Sequence, residues 1–339
     1  MIEQLEQTGS KLTVKLALHA ASERLERELR ERIERAVAGT GVDSVGVDFV
    51  LRVPMRPAAG DDPVPQVKNV VLVMSGKGGV GKSTTAVNLT LALQKRGLRV
   101  GLLDADIYGP SIPTMLGVSS HPQSTDGKTI EPLSRFGVKL MSIGFMIENE
   151  KDAVIWRGPM LQSALMQFLS DVNWGELDFL ILDLPPGTGD VALSLAQKVK
   201  SSGAVIVTTP QEVALQDVYK SVSMCKKLSI PLLGVVENMS FFIDSAGVKH
   251  EIFGAGGGEK IAAHAEAPLL GQVPLDATVR QWGDGGTPIV QAAPDHPCAQ
   301  AFLSIADALC EKIAKDSFLR GGGKKAPEEN APRRLKILR

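Results

Sequence analysis

The stretch that most constrains the fold of this chain covers residues 70–83. Residues 70–74 are all apolar and predict a buried parallel strand. A glycine-rich turn follows, and beyond it apolar residues recur at helical spacing. Within the turn, Gly76, Gly81, Lys82 and Ser83 match the pattern G-x-x-x-x-G-K-S/T. A strand, a loop of this pattern and a helix together predict a phosphate-binding site.

Each part of this loop has a role in holding a nucleotide. Glycines let successive backbone N–H groups turn toward a phosphate, and the start of the helix adds the positive end of its dipole. We expect Lys82 to reach the β- and γ-phosphates of ATP, and the Ser83 hydroxyl to coordinate Mg²⁺. The predicted nucleotide-binding segment consists of Gly76, Lys77, Gly78, Gly79, Val80, Gly81, Lys82, Ser83 and Thr84.

Three carboxylates follow or close predicted buried strands, at the edge where ligands gather in open α/β sheets. Asp104 and Asp106 follow one such strand, and Asp183 closes another. We predict that Asp104 and Asp183 hold Mg²⁺, directly or through water, and that Asp106 orients the attacking water. The alternative for Asp106 is that it only caps the following turn. Gly187, in the loop after Asp183, is expected to offer its backbone N–H to the γ-phosphate.

Asn238 follows a further predicted core strand, at residues 231–237. Its side-chain amide can both donate to and accept from the edge of an adenine, as the base-reading asparagine of many P-loop NTPases does. The alternative is an asparagine that only serves a turn. The sequence therefore places a candidate adenine contact at this position.

The composition excludes several classes of protein. The net charge is −1, so we expect no nucleic-acid partner and no strong attraction to an anionic membrane. No apolar run approaches the roughly 20 residues that span a bilayer, and the N-terminus has no secretory signal. The three cysteines, Cys225, Cys298 and Cys310, are odd in number and widely spaced. They predict a reducing, cytoplasmic location rather than a disulfide framework.

Hydrophobic periodicity and composition divide the chain into four parts. Residues 1–53 predict a small β-α-β appendage whose helix is capped by Ser22. Residues 54–67 contain four prolines and predict a stiff linker. Residues 68–318 predict an α/β domain with a doubly wound, mostly parallel sheet, and residues 319–339 predict a disordered basic tail. The last seven residues, RRLKILR, could instead contact a membrane surface, but they are too few to bind well alone.

The string GKGGVGKST resembles the deviant Walker A loop of the MinD, ParA, nitrogenase iron protein and Mrp group of dimeric ATPases. In that group the early lysine, here Lys77, crosses the dimer interface to the partner's nucleotide. The alternative for Lys77 is a solvated loop lysine. The segment containing Pro274 and Asp276 is similar to a second adenine-side segment of the same group.

Longer segments within residues 68–315 resemble the Mrp (ApbC-like) ATPases. They contain DIYGPS, WRGP with Arg157, PPGTGD, and ENMSFF followed by FGAGGG. MinD and ParA proteins share the phosphate-binding loop but not the first three strings. The resemblance implies an ATP-gated homodimer with nucleotide at the subunit interface, and apo iron–sulfur proteins or a scaffold protein as partners. The N-terminal unit is similar to the later half of a small domain that precedes the ATPase in many Mrp proteins.

The sequence departs from this family at one place. The family has Cys-x-x-Cys between its ENMS and FGxGGG segments, and the dimer holds a 4Fe–4S cluster there. In this chain the same interval contains no cysteine. Because such clusters select soft thiolates, Asp244 and His250 would be poor replacements. We therefore identify no iron–sulfur ligands in the sequence.

The sequence thus predicts a Mg²⁺-dependent, homodimeric ATPase that acts in iron–sulfur cluster carriage or assembly, with Lys77, Lys82 and Asp106 as catalytic residues. The first alternative is a MinD- or ParA-like positioning ATPase that switches membrane or DNA binding with ATP. The missing thiolates and the basic tail favour this alternative, and the Mrp strings oppose it. The second alternative, an electron-donating reductase like the nitrogenase iron protein, is opposed by the absent cysteines.

Overall fold

The computed structural model describes residues 2–57, 60–106, 109–124, 126–146 and 158–320. Its N-terminal part is a three-stranded sheet with the strand order β1-β2-β3, in which β1 is antiparallel to β2 and β3 is parallel to β2. The elements of this unit are β1 (Ile2–Thr8), β2 (Lys11–Leu18), α1 (Glu23–Val37) and β3 (Ser44–Leu51).

The helix of this unit begins where the sequence predicts. The Ser22 hydroxyl caps it by accepting a hydrogen bond from the backbone N–H of Leu25, at 3.2 Å. Ile33 and Val37 pack against the small core formed by the apolar face of β2. The predicted strand–helix–strand order is present as β2, α1 and β3. In addition, β1 precedes them, and its residues are all exposed.

The larger part of the chain is built on an eight-stranded sheet with the order β13-β10-β9-β4-β8-β5-β7-β6. All neighbouring pairs are parallel except β6 and β7. A separate two-stranded hairpin lies between β10 and β13 in the chain. The strands are β4 (Val67–Ser75), β5 (Val100–Asp104), β6 (Leu133–Arg135), β7 (Val138–Ser142), β8 (Leu177–Asp183), β9 (Gly203–Thr208), β10 (Leu232–Glu237), β11 (Phe242–Ile243), β12 (Lys249–His250) and β13 (Leu269–Gln272).

Helices cover both faces of this sheet. From β4 the chain crosses in one direction to β5 and later in the other direction to β9 and β10. Because such crossovers are right-handed, they place the intervening helices on opposite faces, as in a doubly wound sheet. The helices are α2 (Lys82–Lys95), α3 (Ile112–Leu116), α4 (Gly158–Ser170), α5 (Asp190–Lys198), α6 (Glu212–Lys227), α7 (Gly257–Ala265), α8 (Ala277–Asp284), α9 (Ile289–Ala292) and α10 (Pro297–Arg320). The predicted α/β fold class is confirmed.

The segment predicted as a linker packs against the large sheet. Val64 is fully buried in the main core, and β4 begins at Val67. The buried guanidinium of Arg56 forms an ion pair with Asp62 and donates to the Val64 carbonyl oxygen at 2.9 Å. These contacts hold the segment against the domain, although its composition predicts a stiff linker. The division of the chain into domains at residues 53 and 68 stays a prediction.

Helix α10 joins the two parts of the molecule. Its Glu311 carboxylate accepts a hydrogen bond from the Ser22 hydroxyl at 2.7 Å and pairs with Arg24 at the start of α1. The helix runs to Arg320 and so includes the first two residues of the predicted tail at 319–339. The predicted tail beyond Arg320 and the WRGP residue Arg157 lie outside the described residues. Among the residues that the structure describes, no helix is long and apolar enough to cross a membrane.

Candidate nucleotide-binding site

The glycine-rich loop connects β4 to α2, as the sequence predicts. Two of its glycines, Gly76 and Gly81, are required by close approaches of other chain segments. A Cβ atom on Gly76 would lie 2.4 Å from the backbone nitrogen of Val218 in α6. A Cβ on Gly81, whose φ is +80°, would lie 2.1 Å from Nδ2 of Asn238. The loop is therefore held between α6 and the residue after β10, with the N-terminus of α2 directed into it.

Lys82 is buried among acidic and polar groups. Its Nζ lies 2.7 Å from Oδ1 of Asp183, 3.4 Å from Oδ2 of Asp106 and 3.2 Å from Oγ of Ser83. The residues that the sequence assigns to phosphate, magnesium and water thus meet at one point. The two carboxylates are the counter-ions of this lysine. Lys77, by contrast, is partly exposed.

Asp104 and Asp183 stand side by side because they close neighbouring parallel strands in register. Both carboxylates are fully buried. Burial, and next the negative charge of Asp183, raise the pKa of Asp104 to about 7, although hydrogen bonds from Ser142 and the Asp106 backbone oppose the shift. Burial also raises the pKa of Asp183, against the attraction of Lys82. Two adjacent buried carboxyl groups are costly unless a cation is shared between them.

These residues fit a magnesium ion. Oδ2 of Asp183 is buried and has no hydrogen-bond partner among the described residues, so one strong acceptor is available to a cation or its water. The oxygen donors of Asp104, Asp183 and Ser83 are the type that Mg²⁺ prefers. Asp104 is positioned by Ser142, whose hydroxyl donates to it at 2.9 Å. Ser142 was not singled out from the sequence, although its place at the carboxyl end of β7 is the signal that could have found it.

Gly187 lies against the same loop, but its backbone N–H is engaged. It donates to the carbonyl oxygen of Ser75, the last residue of β4, at 2.8 Å. The φ of Gly187 is +83°, which favours glycine at this turn. A contact from this N–H to a γ-phosphate would require the hydrogen bond to Ser75 to open. The γ-phosphate role of Gly187 therefore stays a prediction that includes a local rearrangement.

Among the residues predicted to contact adenine, Asn238 lies beside the phosphate-binding loop, whereas Asp276 is engaged at the start of another helix. Nδ2 of Asn238 donates to the carbonyl oxygen of Val80 at 2.9 Å. Asp276 caps α8 by accepting a hydrogen bond from the backbone N–H of Thr278 at 2.8 Å. Pro274 accepts a long contact of 3.6 Å from the thiol of Cys298. The roles of these residues in base recognition remain predictions.

Asp276, His296 and Cys298 bring three possible metal-ligand atoms within 4.8 Å of one another. However, Nδ1 of His296 accepts a hydrogen bond from the Cys298 backbone N–H at 3.2 Å. Its proton therefore lies on Nε2, which faces Asp276 Oδ2 at 3.4 Å. A metal at Nε2 would need that proton removed while Nδ1 also lacks one. The cluster fits a hydrogen-bonded helix cap better than a metal centre.

The interval where the family has Cys-x-x-Cys forms the hairpin of β11 and β12. Nε2 of His250 lies 2.7 Å from Oδ2 of Asp244. Oδ1 of Asp244 accepts hydrogen bonds from the backbone N–H groups of Ala246 and Val248, both at 2.9 Å. Asp244 therefore shapes the turn, and His250 completes its hydrogen bonding. Both side chains are thus engaged within the hairpin.

Comparison with known proteins agrees with this geometry. The family model described as "ParA: NUBPL iron-transfer P-loop NTPase" matches residues 66–310. An iron–sulfur cluster carrier protein of Synechocystis sp. is 45% identical over 93% of this chain and 91% of its own length. The protein of the same name from Aquifex aeolicus is 52% identical over 74% of this chain and 69% of its own length.

Solved structures of nucleotide-binding proteins share the fold. A nucleotide-binding protein from Archaeoglobus fulgidus, in complex with ADP, has a TM-score of 0.60 and 36% identity over 70% of this chain and 93% of its own. The cell division ATPase MinD of Pyrococcus furiosus has a TM-score of 0.54 and 26% identity over 73% of this chain and 98% of its own. The resemblance that the motifs indicate is thus supported at the level of the family. With its phosphate-binding loop placed between β4 and α2, this chain belongs to the family of NUBPL iron-transfer P-loop NTPases.

Proposed function

We propose that the chain is a Mg²⁺-dependent ATPase that works as a homodimer in iron–sulfur cluster carriage or assembly. The observation that carries the ATPase proposal is the position of Lys82, between the carboxylates of Asp183 and Asp106 at the base of the phosphate-binding loop. The names of the Synechocystis and Aquifex relatives support the role in iron–sulfur chemistry. Three free, buried cysteines and a net charge of −1 are in keeping with a reducing cytoplasm.

The residues of the loop bind and orient the nucleotide. Backbone N–H groups of the loop and the start of α2 would surround the phosphates, and Lys82 would leave Asp183 to neutralise the β- and γ-phosphates. Asp106, beside Lys82, would hold the attacking water in line with the γ-phosphate. Ser83, Asp104 and Asp183 would hold Mg²⁺, which supplies positive charge to the phosphate oxygens. Asn238 would contact the adenine from the other side of the loop.

Lys77 has a different role in this proposal. Its side chain is partly exposed, whereas Lys82 is buried among the carboxylates. From there it can contact the nucleotide of a second subunit, where it would stabilise charge that develops on the transferred phosphoryl group. Hydrolysis would then require two subunits, and binding only one.

The test of the proposed function has two readouts. Phosphate release from ATP should require added Mg²⁺ and should be lost on chelation with EDTA. Cells that lack their own family member should recover iron–sulfur enzyme activity when they express this chain, but not when they express Lys82→Ala. Magnesium-independent phosphate release would contradict the ATPase mechanism. Failure to restore iron–sulfur enzymes by an active ATPase would contradict the cellular role.

The MinD-like alternative rests on the structural likeness to the Pyrococcus furiosus protein, at 26% identity. It is less well supported than the cluster role because the relatives named as cluster carriers are 45% and 52% identical. The alternative requires a membrane or DNA surface that the chain binds in its ATP state. Co-sedimentation with anionic vesicles or with duplex DNA, in ATP against ADP, distinguishes it from the main proposal.

A further inference from the structure

The relatives are named as carriers of iron–sulfur clusters, and such clusters are held by thiolates, in most cases by four. This chain has three cysteines, and the structure describes all of them. Their positions decide whether the chain can supply those ligands. A usable ligand must reach the surface, ionise, and meet further thiolates either within one subunit or across a dimer interface.

None of the three thiols reaches the surface. Cys225 and Cys298 are fully buried, and Cys310 is 3% exposed. Cys225 lies in α6 with its sulfur 3.7 Å from the sulfur of Met74 in β4. Burial raises the pKa of Cys225 to about 11 and the pKa values of Cys298 and Cys310 to about 12. These thiols therefore behave as small apolar packing groups.

The three thiols also cannot come together. Cys298 and Cys310 are on the same helix, α10, and are separated by twelve residues, or roughly 18 Å along its axis. Cys225 is in α6, which packs on the face of the sheet opposite to α10. No two of them can ligate one cluster within a subunit. A symmetric dimer would have to expose the core of each subunit to pair any of them with its copy.

The hairpin of β11 and β12 does not supply cluster ligands in place of the cysteines. Its surface carries Phe242, Ile243 and Val248, which are 38%, 41% and 52% exposed and offer no ligand atoms. Asp244 is occupied by two backbone N–H groups and by His250, as described above. An oxygen and an imidazole that are already hydrogen-bonded to each other are a weak match for iron that prefers sulfur.

We infer that any iron–sulfur cluster this chain handles is ligated by thiolates from outside the chain, so that its ATP cycle acts on a cluster that a second molecule holds. This inference rests on the proposed role in cluster carriage or assembly and specifies it. This chain then supplies ATP hydrolysis, and the second molecule, which bears the thiols, holds and carries the cluster. Two sources of thiolate have the required chemistry: a cysteine-rich protein and a small thiol such as glutathione.

The first experiment asks whether the chain alone retains a cluster. The full-length protein is purified without oxygen and incubated with ferrous iron and sulfide, with a phosphine as reductant so that no thiol is added. Iron, acid-labile sulfide and visible absorption are measured after desalting, with and without ATP. We expect no stoichiometric cluster. A stoichiometric cluster that is lost in Cys225→Ser, Cys298→Ser or Cys310→Ser, or in Asp244→Ala with His250→Ala, would overturn the inference.

A gain-of-ligand variant shows that the assay can detect a cluster. Ile243→Cys combined with Ala246→Cys places Cys-x-x-Cys on two exposed positions of the hairpin. This variant should retain at least about tenfold more iron than the wild-type chain, because a dimer would then present four thiolates. The matched control, Ile243→Ser with Ala246→Ser, makes the same positions polar without sulfur and should retain no more iron than the wild type.

The second experiment separates the two sources of thiolate. The wild-type chain is mixed, in ATP or ADP, with a 4Fe–4S cluster held by glutathione or by a synthetic peptide rich in cysteine. Gel filtration then shows whether the cluster elutes with the chain. Co-elution in the peptide arm alone indicates a protein partner, and co-elution in the glutathione arm indicates a small thiol; either supports the inference. Co-elution in neither arm would overturn it.

The two experiments also separate failure of this inference from failure of the proposed function. A chain that holds a cluster on its own residues and hydrolyses ATP overturns only the inference, and the proposed function stands. A chain that hydrolyses ATP but elutes with a cluster in no arm overturns the cluster role itself. Phosphate release is therefore measured on every sample.

Discussion

Gly81 is a residue whose side chain would occupy space that Asn238 already fills. Its positive φ and the approach of Nδ2 of Asn238 both require glycine. Gly78, in the same loop, has no atom within 4 Å of an added Cβ and no positive φ. The pair therefore offers a matched test of whether the shape of the loop, rather than its glycine content, determines nucleotide binding.

We expect Gly81→Ala to weaken ADP binding by about tenfold or more, because a left-handed backbone with a Cβ costs about 1–2 kcal/mol and the loop must also move from Asn238. Gly78→Ala should bind ADP within about twofold of the wild type, because alanine keeps the backbone N–H of this loop position and its Cβ meets no protein atom. Isothermal titration calorimetry measures both. Equal affinities for the two variants would show that the close approach to Asn238 does not matter for binding.

The two lysines of the loop should separate binding from hydrolysis. Lys82→Ala removes the charge that contacts the phosphates, so both ATP binding and phosphate release should be lost. Lys77→Ala should bind ATP normally in one subunit and release phosphate about a hundredfold more slowly, because a transition-state charge from the partner is missing. Calorimetry and phosphate release are measured on both variants. Normal turnover in Lys77→Ala would show that Lys77 is only a solvated lysine.

At this scale the sequence predicted which residues lie together at the site, but not all of their contacts. Lys82, Ser83 and Asp183 were found because each belongs to a local pattern of strand, loop and helix. Ser142 was not found because its contact with Asp104 depends on β5 lying beside β7, a pairing between residues far apart in the chain. The hydrogen bond from Gly187 to Ser75 likewise depends on how two loops pack.

At the scale of elements, Asp178 joins β8 to its neighbours. Its carboxylate accepts hydrogen bonds from Nζ of Lys68 at 2.8 Å and from the backbone N–H of Arg99 at 3.0 Å. Burial alone would raise the pKa of Asp178, but the hydrogen bonds from Arg99 and Lys68 outweigh it and hold the pKa below its usual value. A lowered folded-state pKa stabilises the fold above the unfolded-state pKa, and this contribution is lost as the pH falls through the folded-state value.

We therefore expect Asp178→Asn to lower the free energy of unfolding at pH 7 by about 1–3 kcal/mol, the usual range for hydrogen bonds to a charged group. The difference from the wild type should begin to shrink below about pH 4, where the carboxyl group takes up a proton in the unfolded state, and should vanish below the lowered pKa of the folded state. Urea unfolding at pH 7 and at acidic pH measures both. The exposed Asp295→Asn is the control and should change the free energy of unfolding by less than about 0.5 kcal/mol. A cost that does not depend on pH would contradict the electrostatic explanation.

The sequence predicts a strand or helix most clearly where the element buries apolar side chains, because burial leaves a hydrophobic pattern. Strands β4 and β8 are nearly continuous apolar runs, and α1 has a clear apolar stripe with a serine cap. Strand β1 has no buried residue and so gives no alternation to detect. The segment at residues 54–67 has the composition of a linker, yet the buried pair of Arg56 and Asp62 fixes it to the domain. Composition alone cannot predict that Arg56 forms an ion pair with a carboxylate six residues later in the chain.

For the whole molecule, the proposal requires that ATP drives two subunits together. The site lies at the carboxyl edge of the sheet and Lys77 is partly exposed, which leaves the lysine accessible to a second subunit as the proposal requires. Asp106→Asn should slow hydrolysis and so prolong the ATP-bound state. Light scattering of this variant should show about twice the monomer mass in ATP with Mg²⁺ and a smaller mass without nucleotide. The same mass in both conditions, at a value equal to the monomer, would contradict an ATP-driven dimer.

In the proposed mechanism, the Asp183 carboxylate that pairs with Lys82 competes with the phosphate group for this lysine. ATP arrives at a lysine whose charge is already balanced, so binding exchanges one counter-ion for another. The electrostatic free energy of binding is then the difference between the Lys82–phosphate and the Lys82–Asp183 interactions. This difference lowers the affinity of the loop for ATP. When the nucleotide leaves, the carboxylate can take back the lysine at once, and no buried charge is left alone. A carboxylate that replaces the phosphate in this way favours fast release of ADP. Fast release suits a protein that binds and releases nucleotide in each cycle.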